Sequence, residues 1–294
     1  MKEIGKHIVR WVWSAAVTLS VLYVVWHVVI VFFVATFTVP SGSMEPTLVP
    51  GDRVIVSKMC YGARIWDLRD SVCHGVITRL WGYGEPERGD VMVFNMPYPH
   101  DRHHISFDYL KYFVKRCVAL PGDTFEIRKG HYHVRGVDGP IGNVRAQETV
   151  EMLTKDSASI ARLGREYGAF PRRRFIPWTI REMGPFYVPK AGDTIEVNRD
   201  NMLLYGTLIE WEIGERIENV GDTLYLVGGK PIRSHVMEQN CYFMAGDNAP
   251  GSVDSRYWGL VPEEHIVGKV TRLLWSFEPY GGRLRWERVM KGVE

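Results

Sequence analysis

Residues 36 to 52 read Thr-Phe-Thr-Val-Pro-Ser-Gly-Ser-Met-Glu-Pro-Thr-Leu-Val-Pro-Gly-Asp, and they begin where a long apolar segment ends. Pro40, Pro46 and Pro50 each fix one φ angle and remove one backbone donor. The residue before each proline is also pushed out of the α region, so the stretch reads as a rigid, non-helical turn that presents Ser41 and Ser43 in set directions. Taken alone, Ser-Gly-Ser after an apolar segment is a polar juxtamembrane linker. Two later stretches give it another meaning.

Residues 112 to 123, Tyr-Phe-Val-Lys-Arg-Cys-Val-Ala-Leu-Pro-Gly-Asp, form an apolar run with two adjacent cations, closed by a Pro-Gly turn. The run reads as a strand. Side chains alternate along a strand, so Lys115 shares a face with Phe113, Cys117 and Ala119, and Arg116 shares the other with Val114 and Val118. One cation therefore sits among apolar neighbours. A lysine desolvated in this way loses stability in its charged form, and its neutral amine becomes available as a general base. Read without context, both cations also suit a solvated edge strand.

The third stretch, residues 242 to 259, reads Tyr-Phe-Met-Ala-Gly-Asp-Asn-Ala-Pro-Gly-Ser-Val-Asp-Ser-Arg-Tyr-Trp-Gly. Pro-Ser-Gly-Ser-Met-x-Pro-Thr-Leu, then Lys-Arg before Pro-Gly-Asp, then Gly-Asp-Asn and Ser-x-Asp-Ser-Arg-Tyr-Trp-Gly, in this order after an apolar segment, resembles the bacterial type I signal peptidases. The resemblance implies a Ser-Lys dyad: Ser43 as nucleophile and Lys115 as general base, with the Ser41 hydroxyl and the Ser43 N–H as oxyanion hole. It implies that Ser252 hydrogen-bonds the lysine amine. It gives Asp247, Asp254 and Arg256 a structural role in ion pairs, one of them with Arg116. The substrates it implies are preprotein signal peptides, cut after small residues in an Ala-x-Ala pattern, with Met44 lining a shallow apolar pocket. No metal or organic cofactor is implied. The chain departs from the family where Ala249-Pro250-Gly251 replaces the usual Arg-Asp-Asn; the length is kept, so Ser252 and Asp254 stay in register.

No Asp, Glu, Lys or Arg occurs from Trp11 to Met44. As a helix, residues 11 to 37 would reach about 40 Å, enough to cross a hydrocarbon core of about 30 Å with tilt. A cleavable signal has a shorter apolar core, so the segment reads as an uncleaved anchor, with Trp11, Trp13 and Phe37 at the interfaces. The basic residues 1 to 10 stay in the cytoplasm under the positive-inside rule, which sends the remainder to the outer, periplasmic side of the bacterial inner membrane. The bilayer and the secretion translocon are the partners that this placement and the resemblance suggest.

Lys2, Lys6 and Arg10 against Glu3 account for the formal net charge of +2, and the rest of the chain is balanced. Nothing in that balance recommends nucleic acid. The cluster Arg172-Arg173-Arg174 reads as an exposed loop near anionic headgroups. Beyond the anchor, Gly-Asp followed by alternating apolar residues recurs at Gly51-Asp52, Gly89-Asp90, Gly122-Asp123, Gly192-Asp193 and Gly221-Asp222. Each reads as a turn feeding a strand. Irregular spacing speaks for hairpins, hence a mainly β fold: one N-terminal transmembrane helix, then an antiparallel β-rich core. Residues 147 to 166 and 199 to 217 read as helices, the second capped by Asp200 or Asn201.

The resemblance places an inserted α+β, cap-like domain between the lysine motif and the Ser252 motif. The expected division is 1–10 cytoplasmic, 11–37 anchor, 38–127 with 239–294 core, and 128–238 insertion. Cys60 and Cys73 are close enough in sequence to bridge, while Cys117 and Cys241 fall within strands; connectivity stays open. His100 to His104 carry metal-capable side chains without a recognisable ligand spacing and read as a loop. The alternative to an enzyme is a catalytically silent homologue that acts as a membrane-tethered binding protein.

Overall fold

The computed structural model describes residues 2–66, 77–99 and 104–293. Its first element is the helix α1, Lys2–Val28, which passes into a π-helical turn, Val29–Phe33. Within it Val9–Val28 is 20 residues long with mean hydropathy 1.5 and no buried residue, long and apolar enough to cross a membrane. The expected helix over 11 to 37 ends early. Val34–Thr38 (Val-Ala-Thr-Phe-Thr) is a strand, β1, because its branched and aromatic residues find a pairing partner there. The helix end is tied to the sheet. Lys58 donates its N–H to the Phe33 carbonyl at 2.9 Å and its Nζ to the Ile30 carbonyl at 3.0 Å, satisfying carbonyls that a helix end leaves open.

Six further strands complete the main sheet: β2 Asp52–Ser57, β3 Val91–Asn95, β4 Tyr112–Ala119, β5 Cys241–Ala245, β6 Val261–Pro262 and β7 Ile266–Ser276. Their order is β1-β2-β7-β3-β4-β5-β6, antiparallel throughout. The fold is mainly β, as the turn pattern predicts. All five Gly-Asp pairs feed strands, and four share one device. In Val49-Pro50-Gly51-Asp52 the glycine has φ +92, the aspartate N–H donates to the Val49 carbonyl at 3.1 Å, and the aspartate carboxylate accepts the Val49 N–H at 2.8 Å. Positive φ at the third position favours glycine. Glu87 to Asp90, Leu120 to Asp123 and Lys190 to Asp193 repeat both bonds.

Two apolar clusters lie on the sheet. One joins Val54 and Val56 of β2, Val91 and Val93 of β3, and Val270 and Leu273 of β7 to Val39, Met44 and Leu48 from the serine-bearing turn. Burying a side chain such as Met44 or Leu48 stabilises by about 2 kcal/mol each, so the turn is pinned to the sheet by its own apolar residues. The other cluster brings Met92, Phe94, Cys117, Ala119 and Phe243 together with Phe125, Phe186, Tyr205 and Ile209.

The second cluster therefore joins the sheet to residues from 125 to 209. The strand Thr124–Arg128 pairs with His131–Val134 and Met183–Tyr187, so the expected boundary at 127/128 runs along a paired strand. Three helices lie between residues 128 and 238: α2 Val144–Leu153, α3 Ser157–Leu163 and α4 Arg199–Ile213. The first predicted helix is thus broken in two, and the second ends before Ile217, which pairs in a strand. The cap of α4 is Asn198, two residues before the nearer of the expected Asp200 and Asn201, and its side chain accepts the Asn201 N–H at 2.9 Å.

Candidate active site

Ser41 is extended, with φ −131 and ψ 158, and leads into a single 3-10 turn, Gly42–Met44. The Glu45 N–H closes the turn on the Gly42 carbonyl at 3.1 Å, and the Leu48 N–H reaches the Met44 carbonyl at 2.9 Å. Proline-limited backbone and two buried anchors hold this turn, and Ser43 stands half-buried at its centre.

On β4 the alternation places Lys115 inward. Lys115 is 3% exposed and Arg116 lies on the other side. The Lys115 ammonium donates to Ser43 Oγ at 2.6 Å and to the Val114 carbonyl at 3.0 Å. Burial pulls the amine down to about 8, with Arg256 adding to the shift and Asp254 and Asp247 opposing it. An amine at that value is substantially neutral just above physiological pH, and its partner is a serine hydroxyl. Ser41 is exposed, with its hydroxyl 3.5 Å from Ser43 Oγ on the same side of the turn.

Arg116 leaves the strand to bind Asp247 through two bonds of 2.7 Å, and its third nitrogen donates to the Gly89 carbonyl at 2.6 Å. Asp254 and Arg256 form a second pair, fully buried, with two bonds of 2.8 Å. Burial by itself would raise the Asp254 carboxyl, but Arg256 and the Gly246 N–H hold it below its ordinary value. Arg256 also donates to the carbonyls of Ala249 and Ser252 at 2.8 and 3.2 Å. The Ala249-Pro250-Gly251 segment is a 3-10 turn fastened by that arginine.

Ser252 is placed beside the dyad but not as the resemblance implies. Its Oγ is buried and makes no hydrogen bond of ordinary geometry among the described residues, although it lies near enough to Asp254 to help lower that carboxyl. Its side chain occupies the space over Gly246. A Cβ built on Gly246 would lie 2.1 Å from Ser252 Oγ and 2.5 Å from the Ser43 carbonyl, so this close approach requires glycine.

Three residues near the dyad escaped the sequence reading. Asn248 donates its N–H to the Ser43 carbonyl at 3.1 Å and its side-chain amide to the Gly42 carbonyl at 3.0 Å, clamping the serine turn to the end of β5. Thr47 donates to Asp247 at 2.5 Å, and Asn143 donates to the Asp247 carbonyl at 2.9 Å. Asn248 and Thr47 stood inside quoted motifs without being given a role; Asn143 carries no local signal. Phe37, read as an interfacial anchor, packs against Tyr112. Among the described residues Cys60, Cys117 and Cys241 form no disulfide, while Cys73 and residues 100 to 103 lie outside the described residues. Arg173 and Arg174 line a cavity of about 380 Å³ with Phe175 and Arg199.

A cleft of about 730 Å³ opens over the dyad. It is lined by residues 37 to 44 and 112 to 115, with Leu110, Asn248, Gly251 and Val253. Met44 lines it while remaining 1% exposed within the apolar cluster. From Tyr112 to Lys115, β4 pairs only with β3, because β5 pairs from Arg116 onward. That open edge can accept an extended peptide.

An extended cleft, an open strand edge and a serine hydroxyl held by a buried amine are the equipment of a peptidase. The chain belongs to the signal peptidase family, peptidase S26, which it matches over residues 8–173 and 188–275. Among its relatives are Signal peptidase I of Buchnera aphidicola subsp. Acyrthosiphon pisum, 28% identical over 84% of this chain and 70% of that one, and Signal peptidase I of Pseudomonas aeruginosa, 32% identical over 81% and 63%. A solved signal peptidase I from Enterococcus faecalis V583 covers 64% of this chain and 97% of its own, at 20% identity and a TM-score of 0.29.

Proposed function

We propose that this protein removes N-terminal signal peptides from exported preproteins, cutting after small residues in an Ala-x-Ala pattern with Ser43 as nucleophile and Lys115 as general base. The observation that carries the reading is the 2.6 Å contact from Lys115 Nζ to Ser43 Oγ, made by an amine that burial lowers to about 8. The neutral amine takes the Ser43 proton as Oγ attacks the carbonyl of the scissile bond. The developing oxyanion is met by the Ser41 hydroxyl and the Ser43 N–H; losing one such donor typically costs about 10² to 10³ in rate. The lysine then gives its proton to the departing amine. In the second half-reaction it takes a proton from the water that cleaves the acyl-enzyme.

The apolar helix anchors the chain in the bilayer, with the N-terminus cytoplasmic and the cleft at the outer surface, beside the translocon from which signal peptides emerge. Residues 38 to 127 with 239 to 294 form the catalytic core, and 128 to 238 cover it.

Cleavage of an Ala-x-Ala preprotein by detergent-solubilised protein between about pH 6 and 10 tests the reading. Cleavage at the expected bond that rises through about pH 8 and vanishes in Ser43→Ala and Lys115→Ala is the expected result. Folded, inserted protein without activity would instead indicate a tethered binding protein.

A further inference from the structure

The peptide group between Asp247 and Asn248 is held from two sides. Its N–H, carried by Asn248, donates to the Ser43 carbonyl at 3.1 Å, and its carbonyl, carried by Asp247, accepts the Asn143 side-chain amide at 2.9 Å. A carbonyl can only accept, so the amide nitrogen of Asn143 is the atom that faces it. A peptide group is planar, and fixing its oxygen also fixes the direction of its N–H. The bond to the nucleophile's own carbonyl is therefore aimed by a residue 104 positions before Asp247. Arg116 and Thr47 grip the Asp247 carboxylate, but a grip on the side chain leaves the following peptide able to tilt.

Asn143 is itself firmly placed. It holds the N-cap position of α2, yet its side chain makes no capping bond to the first turn. Asparagine is among the residues most favoured for capping, and here its amide is turned to Asp247 instead. The loop before it is tied down by Gln147, which is 2% exposed. The Gln147 amide donates to the Ile141 carbonyl at 2.6 Å, and its oxygen accepts the N–H of Tyr132, in the strand His131–Val134, at 2.9 Å. Beyond Asn143, α2 lies against the 3-10 turn Ala249–Gly251.

Resting on the reading of Ser43 as the nucleophile, we infer that Asn143 is a positioning residue for the reaction: it orients the Asp247–Asn248 peptide and, through it, the backbone of Ser43. The attacking hydroxyl and the oxyanion N–H both project from that backbone. A tilt of the peptide lengthens its bond to the Ser43 carbonyl and turns both groups from the scissile carbonyl. Lys115 makes no bond to this peptide; its amine donates to Ser43 Oγ and to the Val114 carbonyl. Losing Asn143 should therefore slow the chemical step without moving the titration of the base.

The test separates donation from helix capping. Asn143→Asp keeps a strong N-cap residue and removes the donor, whereas Asn143→Gln keeps an amide donor on a longer arm and is a poorer cap. Preprotein cleavage by the full chain in detergent gives kcat, KM and a pH profile for each, beside a denaturant midpoint. Arg145→Ala, an exposed change in the same helical turn, is the control and should match wild type. In Asn143→Asp kcat should fall about 10- to 100-fold, the scale of small misplacements, with KM and the pH midpoint near 8 unchanged. Asn143→Gln should retain more kcat than Asn143→Asp while unfolding at no higher denaturant. Wild-type kcat in Asn143→Asp would overturn the proposal, as would a lower kcat in Asn143→Gln than in Asn143→Asp, or a rise in KM alone. A wild type that cleaves no preprotein overturns the underlying reading, a result distinct from a variant that cleaves slowly.

Discussion

Lys115 Nζ reaches Ser43 Oγ at 2.6 Å across 72 residues of sequence. The serine turn is pinned from below by Met44 and Leu48 and from the side by Asn248, while the lysine is aimed by its place on β4. Neither group finds the other through local structure.

The lysine is a cost to the fold wherever it is charged. Unfolded, the amine titrates near 10.4; folded, it titrates at about 8. Between those values the unfolded chain holds more protons, so stability rises with pH through that window, and below it the full penalty remains. Lys115→Met keeps the volume and removes the charge. It should raise the stability of the folded protein at pH 6 by on the order of 2 kcal/mol while abolishing turnover, with the gain shrinking at pH 10. Denaturant titration at both pH values checks this. An equal gain at both would show that charge is not the cause.

Asn248→Ala removes the side-chain bond to the Gly42 carbonyl and leaves the backbone bond to Ser43. A looser serine turn misplaces the nucleophile more than it weakens peptide binding. Turnover should fall about 10- to 100-fold with KM nearly unchanged, since small misplacements have effects of that size. Steady-state kinetics decides; a rise in KM alone would assign Asn248 to binding.

Asp254→Ala would strand the Arg256 guanidinium, which is 0% exposed. Breaking a buried pair from one side costs about 3 to 5 kcal/mol. The variant should unfold at lower denaturant, which far-ultraviolet circular dichroism will record. Exposed Arg173→Ala should leave that midpoint in place.

Much of the site was legible because its chemistry is written in short motifs. Proline and glycine restrict a turn wherever they stand, so the Ser-Gly-Ser segment and all five Gly-Asp turns were readable from a few residues each. Strand alternation separated Lys115 from Arg116 for the same reason. Other features depended on partners the local sequence does not name. Residues 34 to 38 continue an apolar run that reads as helix, and only pairing with β2 turns them into a strand. Asn143 and Thr47 are ordinary polar residues until the fold brings Asp247 to them. The bond expected from Ser252 to Lys115 was replaced by packing of its side chain over Gly246, a matter of backbone approach.

By itself, then, the sequence determined the apolar helix, the β character of the remainder, the rigid serine turn and that two adjacent cations face opposite sides of a strand. These follow from backbone restriction and periodicity, which act over a few residues. Tertiary structure alone decided that Ser43 and Lys115 meet, how far burial lowers the amine, which carboxylate each arginine holds, and that Phe37 and Tyr112 meet in the lining of the cleft. Those outcomes depend on strand order and on exclusion of water from a shared interior, which are set only when distant segments pack.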